Sequence, residues 1–144
     1  MAESNRHTGR VLAIDPGSKR TGLAMSDPLG MTAQGLDTYE EAPGKDLLDH
    51  LGGLIERYGV DAVVVGLPLS MQGKDIEGSV RSRALAERIA GRFGLAVRLM
   101  DERMTSLEAE RVLRSGDREF TRGDIDKLSA MLLLQSYLDE RPKR

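Results

Sequence analysis

Three of the chain's 23 acidic residues fall where carboxylates could do chemistry: Asp15, Glu102 and Asp126. Asp15 closes the apolar run Val11-Leu12-Ala13-Ile14, and Glu102 lies just past the run Ala96-Val97-Arg98-Leu99-Met100. Asp126 shares a helical stripe with Ala130, Leu133, Leu134 and Tyr137, although a surface acid should fall opposite such a stripe. Converging carboxylates raise one another's pKa unless a cation neutralises them. A divalent ion is the economical solution, and two magnesium ions about 4 Å apart can activate a water on one side of a phosphodiester and stabilise the leaving oxygen on the other. With no cysteine, and only His7 and His50 to offer imidazole, any metal here is a hard cation held by oxygen, magnesium or manganese before zinc. Each acid also has a plainer explanation. Asp15-Pro16-Gly17 reads as a turn, Asp126 or Asp124 as first-turn charge on a helix, and Asp101 as a solvated strand-end acid.

The elements that must position these acids follow from periodicity. The run 11–14 reads as a strand buried on both faces, followed by a Gly-containing turn and a second strand over 21–26. Asp27-Pro28-Leu29-Gly30 is a turn by composition, and 31–38 gives a third strand weakened by Gly35. Leu47, Leu48, Leu51, Leu54, Ile55 and Tyr58 trace one face of a helix over 46–58, which Gly59 ends. A fourth strand over 61–66, a helix over 79–93 and a fifth strand over 96–100 follow. Thr105 and Glu108 have capping-box spacing for a helix over 105–114, residues 115–123 read as a mobile loop, and a last helix spans 124–138.

This order implies an α/β fold with a five-stranded mixed sheet flanked by helices, antiparallel in its first three strands and parallel in the later ones. Asp15 and Glu102 then share the sheet edge where such folds place ligands. Residues 1–9 are expected to be a disordered leader, 10–138 one domain and 139–144 a tail. No apolar run approaches the length of about 20 residues that spans a bilayer, and the N-terminus lacks a signal-peptide core, so a cytoplasmic protein is expected. The net charge of −2 argues against nonspecific coating of nucleic acid. Three Tyr, two Phe and no Trp leave little for stacking bases, so any nucleic acid would be recognised by backbone and shape.

Four motifs in register carry a family resemblance: Ile14-Asp15-Pro16-Gly17-Ser18-Lys19-Arg20-Thr21-Gly22-Leu23-Ala24 with Ser26-Asp27, Val65-Gly66-Leu67-Pro68-Leu69 followed by Gly73, Asp101-Glu102-Arg103-Met104-Thr105-Ser106, and Ile125-Asp126 before Ser129-Ala130. Together they resemble the YqgF/RuvX family over about 10–138 of the chain. The resemblance implies a ribonuclease-H-like fold related to the junction resolvase RuvC, and a cytoplasmic nuclease that finishes the 5′ end of 16S ribosomal RNA. It also implies that Asp15, Glu102 and Asp126 are the catalytic and metal-binding acids, serving Mg2+ or Mn2+. Pro16 stands where that family usually has an aromatic residue, which keeps four-way DNA junctions open as a substrate beside structured pre-16S rRNA. A noncatalytic binding module on the same fold, in ribosome assembly or transcription, is the reading from a different class.

Basic residues near the acids suit phosphate contacts, which position a substrate without reading its sequence. Lys19 and Arg20 follow Asp15, Arg103 adjoins Glu102, and Arg118 and Arg122 lie in the loop before the last helix. Monomer and homodimer are both compatible with the sequence.

Overall fold

The computed structural model describes residues 9–103, 105–116 and 119–141, and of 105–107 only the backbone. The leader up to residue 8, Met104, Arg118 and the last three residues lie outside the described residues, as does the side chain of Thr105 on which the first capping box rests.

Strands β1 (Arg10–Pro16) and β2 (Arg20–Ser26) form the opening hairpin. Asp15 stands opposite Gly22 in its antiparallel register. The expected third strand is divided into β3 (Ala33–Gly35) and β4 (Tyr39–Glu40), both antiparallel to β2. Among the described residues the sheet therefore has six strands rather than five, in the order β3-β2-β1-β5-β6, with β4 on the far end of β2.

Side-chain hydrogen bonds compete with the ladder at both ends of that stretch. The Asp27 carboxylate takes the Met31 and Thr32 N–H groups, both at 2.7 Å, so pairing begins later, at Ala33. Thr38 Oγ1 donates to the Gly123 carbonyl at 3.0 Å, drawing the chain off β2 before Tyr39.

Helix α1 (Leu47–Tyr58) is capped by Asp46, whose carboxylate accepts from Leu48 N at 3.1 Å. The parallel strands β5 (Val60–Leu67) and β6 (Ala96–Asp101) enclose α2 (Glu77–Phe93). That helix starts two residues earlier than its apolar period indicates, because Ser79 Oγ bonds back to Ile76 N at 2.8 Å and donates to the Pro68 carbonyl. Helix α3 (Thr105–Arg114) precedes α4 (Arg122–Glu140). Thr121 and Asp124 form a reciprocal capping box that advances the start of α4 into the expected loop. Among the described residues no helix is long and apolar enough to cross a membrane.

Strand alternation divides the core between two faces. Leu12, Ile14, Leu23, Val63 and Val65 pack with Leu48, Leu51, Leu85 and Ile89 of α1 and α2. Val11, Ala13, Ala24, Val64 and Met100 pack with Ala130, Leu133, Leu134 and Leu138 of α4. Most strand residues on this second face are small, which lets α4 lie close over β1 and β2.

Candidate active site

The same alternation decides which polar side chains share α4's face. Continuing from Val11 and Ala13 on β1 it reaches Asp15, from Ala24 on β2 it reaches Gly22 and Arg20, and from Val64 on β5 it reaches Gly66. Past Met100 on β6 it reaches Glu102, whose N–H extends the ladder by donating to the Leu67 carbonyl at 3.1 Å.

Two glycines make room for the acids. A Cβ on Gly66 would overlap Glu102 Oε1 and lie 2.9 Å from its Cδ, so the Glu102 carboxyl folds back onto bare backbone. A Cβ on Gly22 would overlap the Asp126 carbonyl and lie 2.7 Å from its carbon, so α4 begins directly above the residue that faces Asp15. The sequence signal for both was their place inside the motifs. Their role as cradles is visible only in the packing.

Asp15 and Glu102 hydrogen-bond to each other, side chain to side chain. Burial pushes the Glu102 carboxyl up to about 10, helped by its hydrogen bond to Asp15 and by the charges of Asp15 and Asp101. Asp15 is also raised, by burial first and by the Asp126 charge, while the Glu102 hydrogen bond pulls it the other way. Glu102 is therefore the donor, since its neutral form is the one that burial and Asp15 favour.

Asp126 is near enough for its charge to act on Asp15, yet its carboxylate is turned to Arg20, whose Nε donates to Oδ2 at 3.0 Å. The arrangement is thus a carboxyl pair with a third acid beside it. Among the described residues no group of three Asp, Glu, His or Cys is drawn together as a ready metal site.

The expected basic contacts divide in the same way. Lys19 and Arg122 are exposed and without an acidic partner among the described residues. Arg103 turns away from its neighbour Glu102. Its Nε donates to Asp101 Oδ2 at 2.9 Å and its Nη1 to the Met71 carbonyl at 3.2 Å, so it braces the loop after β5 against the end of β6. Asp101, exposed at that strand end, is held below the usual carboxylate range by the Arg103 guanidinium and N–H.

A family model described as RuvX, Holliday junction resolvase, matches residues 9–140. The chain belongs to the RuvX family. Three curated relatives carry the name "Putative pre-16S rRNA nuclease". The one from Pelotomaculum thermopropionicum is 45% identical over 140 residues, covering 94% of this chain and 91% of the relative. Those from Streptococcus sanguinis, 45% identical with 90% and 97% covered, and Dictyoglomus thermophilum, 43% identical with 90% and 95% covered, extend the match.

Solved structures agree on the fold of this RuvX chain. The fowlpox virus resolvase in complex with Holliday junction DNA superposes with a TM-score of 0.57 at 17% identity, covering 93% of this chain and 99% of the other. Thermus thermophilus RuvC gives 0.51 at 14% identity, covering 90% and 93%. Both support the ribonuclease-H-like architecture, and the family places the chain among resolvase-like nucleases.

Proposed function

We propose that this chain is a divalent-metal-dependent nuclease that hydrolyses phosphodiester bonds of structured RNA, processing the 5′ end of pre-16S rRNA. The observation that carries the reading is the meeting of the Asp15 and Glu102 carboxyls at the sheet edge, with Glu102 folded over Gly66. Such a pair suits a hard cation, because an ion between the carboxylates removes the repulsion that the proton now relieves. Asp15 and Glu102 would hold the ion, with Asp126 joining when it exchanges Arg20 for it. When bound, divalent ions supply activation of the attacking water and stabilisation of the leaving oxygen.

The chain's own residues do the rest. Lys19, Arg20 and Arg122 hold phosphates of the substrate backbone, and Arg20 keeps Asp126 neutralised until substrate competes for the guanidinium. Arg103 acts at one remove, by keeping the Met71 loop and the Asp101 end of β6 in register. The names of relatives at 43–45% identity favour ribosomal RNA precursor as substrate, and work on that precursor is work in the cytoplasm under this reading.

The description of the matching family model favours a second reading, cleavage of four-way DNA junctions. Purified protein with manganese should shorten a pre-16S rRNA fragment at its 5′ end and leave a four-way DNA junction intact, and Asp15→Asn should abolish the cleavage while folding normally. Junction cleavage without RNA cleavage would establish the second reading. Full activity in Asp15→Asn would remove both.

A further inference from the structure

On the face of the sheet opposite the carboxyl pair, a cleft of about 330 Å³ opens between the β1–β2 turn, the segment leading into α1, and α2. Three cations line it, Lys45, Arg81 and Arg88, together with the acids Glu41 and Asp46. Asp46 is already engaged in capping α1 through Leu48 N. Lys45 lies 5.2 Å from the Tyr39 ring centre and has no carboxylate partner among the described residues.

Arg81 and Arg88 are two helical turns apart and so share one face of α2. Neither has an acidic partner among the described residues. Their neighbours on the same helix do: Arg83 pairs with Asp75 at 3.0 Å, and Arg92 with Asp49 at 2.6 Å. The cations that α2 leaves open are the two that line the cleft.

The remaining walls suit the rest of a nucleotide. Leu47, Leu48 and Leu85 give apolar surface, and Ser18 and Thr21 bring hydroxyl groups. A pocket of a few hundred Å³ that joins apolar walls to a few charged groups is of small-ligand size. Guanidinium forks match phosphate oxygens in geometry as well as charge.

We propose that this cleft binds one phosphate-bearing nucleotide unit, with Arg81 and Arg88 holding the phosphate. Pro16 and Gly17 line the cleft directly after Asp15, so an occupant lies behind the turn that follows that acid. The unit is either one nucleotide of a strand passing round that turn or a free nucleotide. The recognising chemistry is the same, and the binding does not depend on the hydrolase reading.

The test is binding without divalent ions, by calorimetry, of adenosine 5′-monophosphate and of a short ribonucleotide oligomer. The wild-type chain and the doubly substituted Arg81→Glu, Arg88→Glu and Arg81→Gln, Arg88→Gln chains are compared, with thermal unfolding as the check on folding. Wild-type binding of either probe, weakened roughly tenfold or more in a folded double variant, is the expected result. Capture of the monophosphate identifies a free-nucleotide site, and capture of the oligomer alone a strand subsite. Equal affinity in wild type and a folded double variant, or no binding of either probe by the wild type, overturns the proposal.

Discussion

The carboxyl of Glu102 donates to Asp15 although β5 separates the strands that carry them, and the proton stays on Glu102 because burial holds its pKa near 10. Parallel strands end at a common edge, so two acids 87 residues apart in sequence meet without any loop reaching between them.

Stability without metal should therefore fall as pH rises. Below the ordinary glutamate value of 4.5 both folded and unfolded states carry the proton, and the contribution of Glu102 is complete. Between there and about 10 the unfolded chain releases a proton that the folded pair keeps, so the contribution is progressively lost. The raised Asp15 adds a loss of the same sign. Thermal unfolding followed across this window in chelator should show a declining Tm for the wild type and a flatter profile for Glu102→Gln. Parallel profiles would contradict the raised Glu102.

Magnesium or manganese should reverse that loss. An ion that binds only the folded pair stabilises by mass action, and more so where the pair is short of protons. The rise in Tm on adding manganese should be larger at about pH 8 than at about pH 5, and absent in Asp15→Asn.

Arg20→Ala separates the two roles assigned to the guanidinium. The pair with Asp126 is about 30% exposed on each side, so its loss should change stability by less than about 1 kcal/mol. Manganese should bind more tightly, since Asp126 no longer has a competing cation, while KM for RNA rises through the missing phosphate contact. Titration calorimetry and steady-state kinetics report the two effects separately. Weaker manganese binding in Arg20→Ala would contradict the competition.

The two cradle glycines should fail differently when enlarged. In Gly66→Ala the new methyl meets the end of the Glu102 side chain, with Leu133 Cδ2 3.3 Å away, so Glu102 is displaced and activity falls by about 10- to 100-fold with little change in Tm. In Gly22→Ala it meets the backbone of α4 at Asp126, so the helix must shift, at about 1–3 kcal/mol of stability. Activity assays and chemical denaturation of both variants check the contrast.

What could be read from the sequence was whatever depends on local period. The stripe through Ala130, Leu133 and Leu134 put Asp126 on the buried side of its helix, and the apolar runs before Asp15 and Glu102 put both at strand ends. Hydrogen bonds between distant segments were not legible. The bond from Thr38 to Gly123 breaks the third strand, and Arg20 reaches Asp126 across 106 positions. Adjacency alone did not give the partners of Arg103, because successive residues at a strand end point to opposite faces, which turns it to Asp101 and Met71. The capping box of Thr121 and Asp124 had the required spacing but lay in a polar stretch that reads as loop.

The most direct test of the proposed metal site is a crystal soaked in manganese, with anomalous scattering recorded at the β1, β5 and β6 edge. An anomalous peak between Asp15 and Glu102, with Asp126 released from Arg20 and turned toward it, is the expected result. An edge without manganese at a saturating concentration, with Asp126 still paired to Arg20, would contradict it.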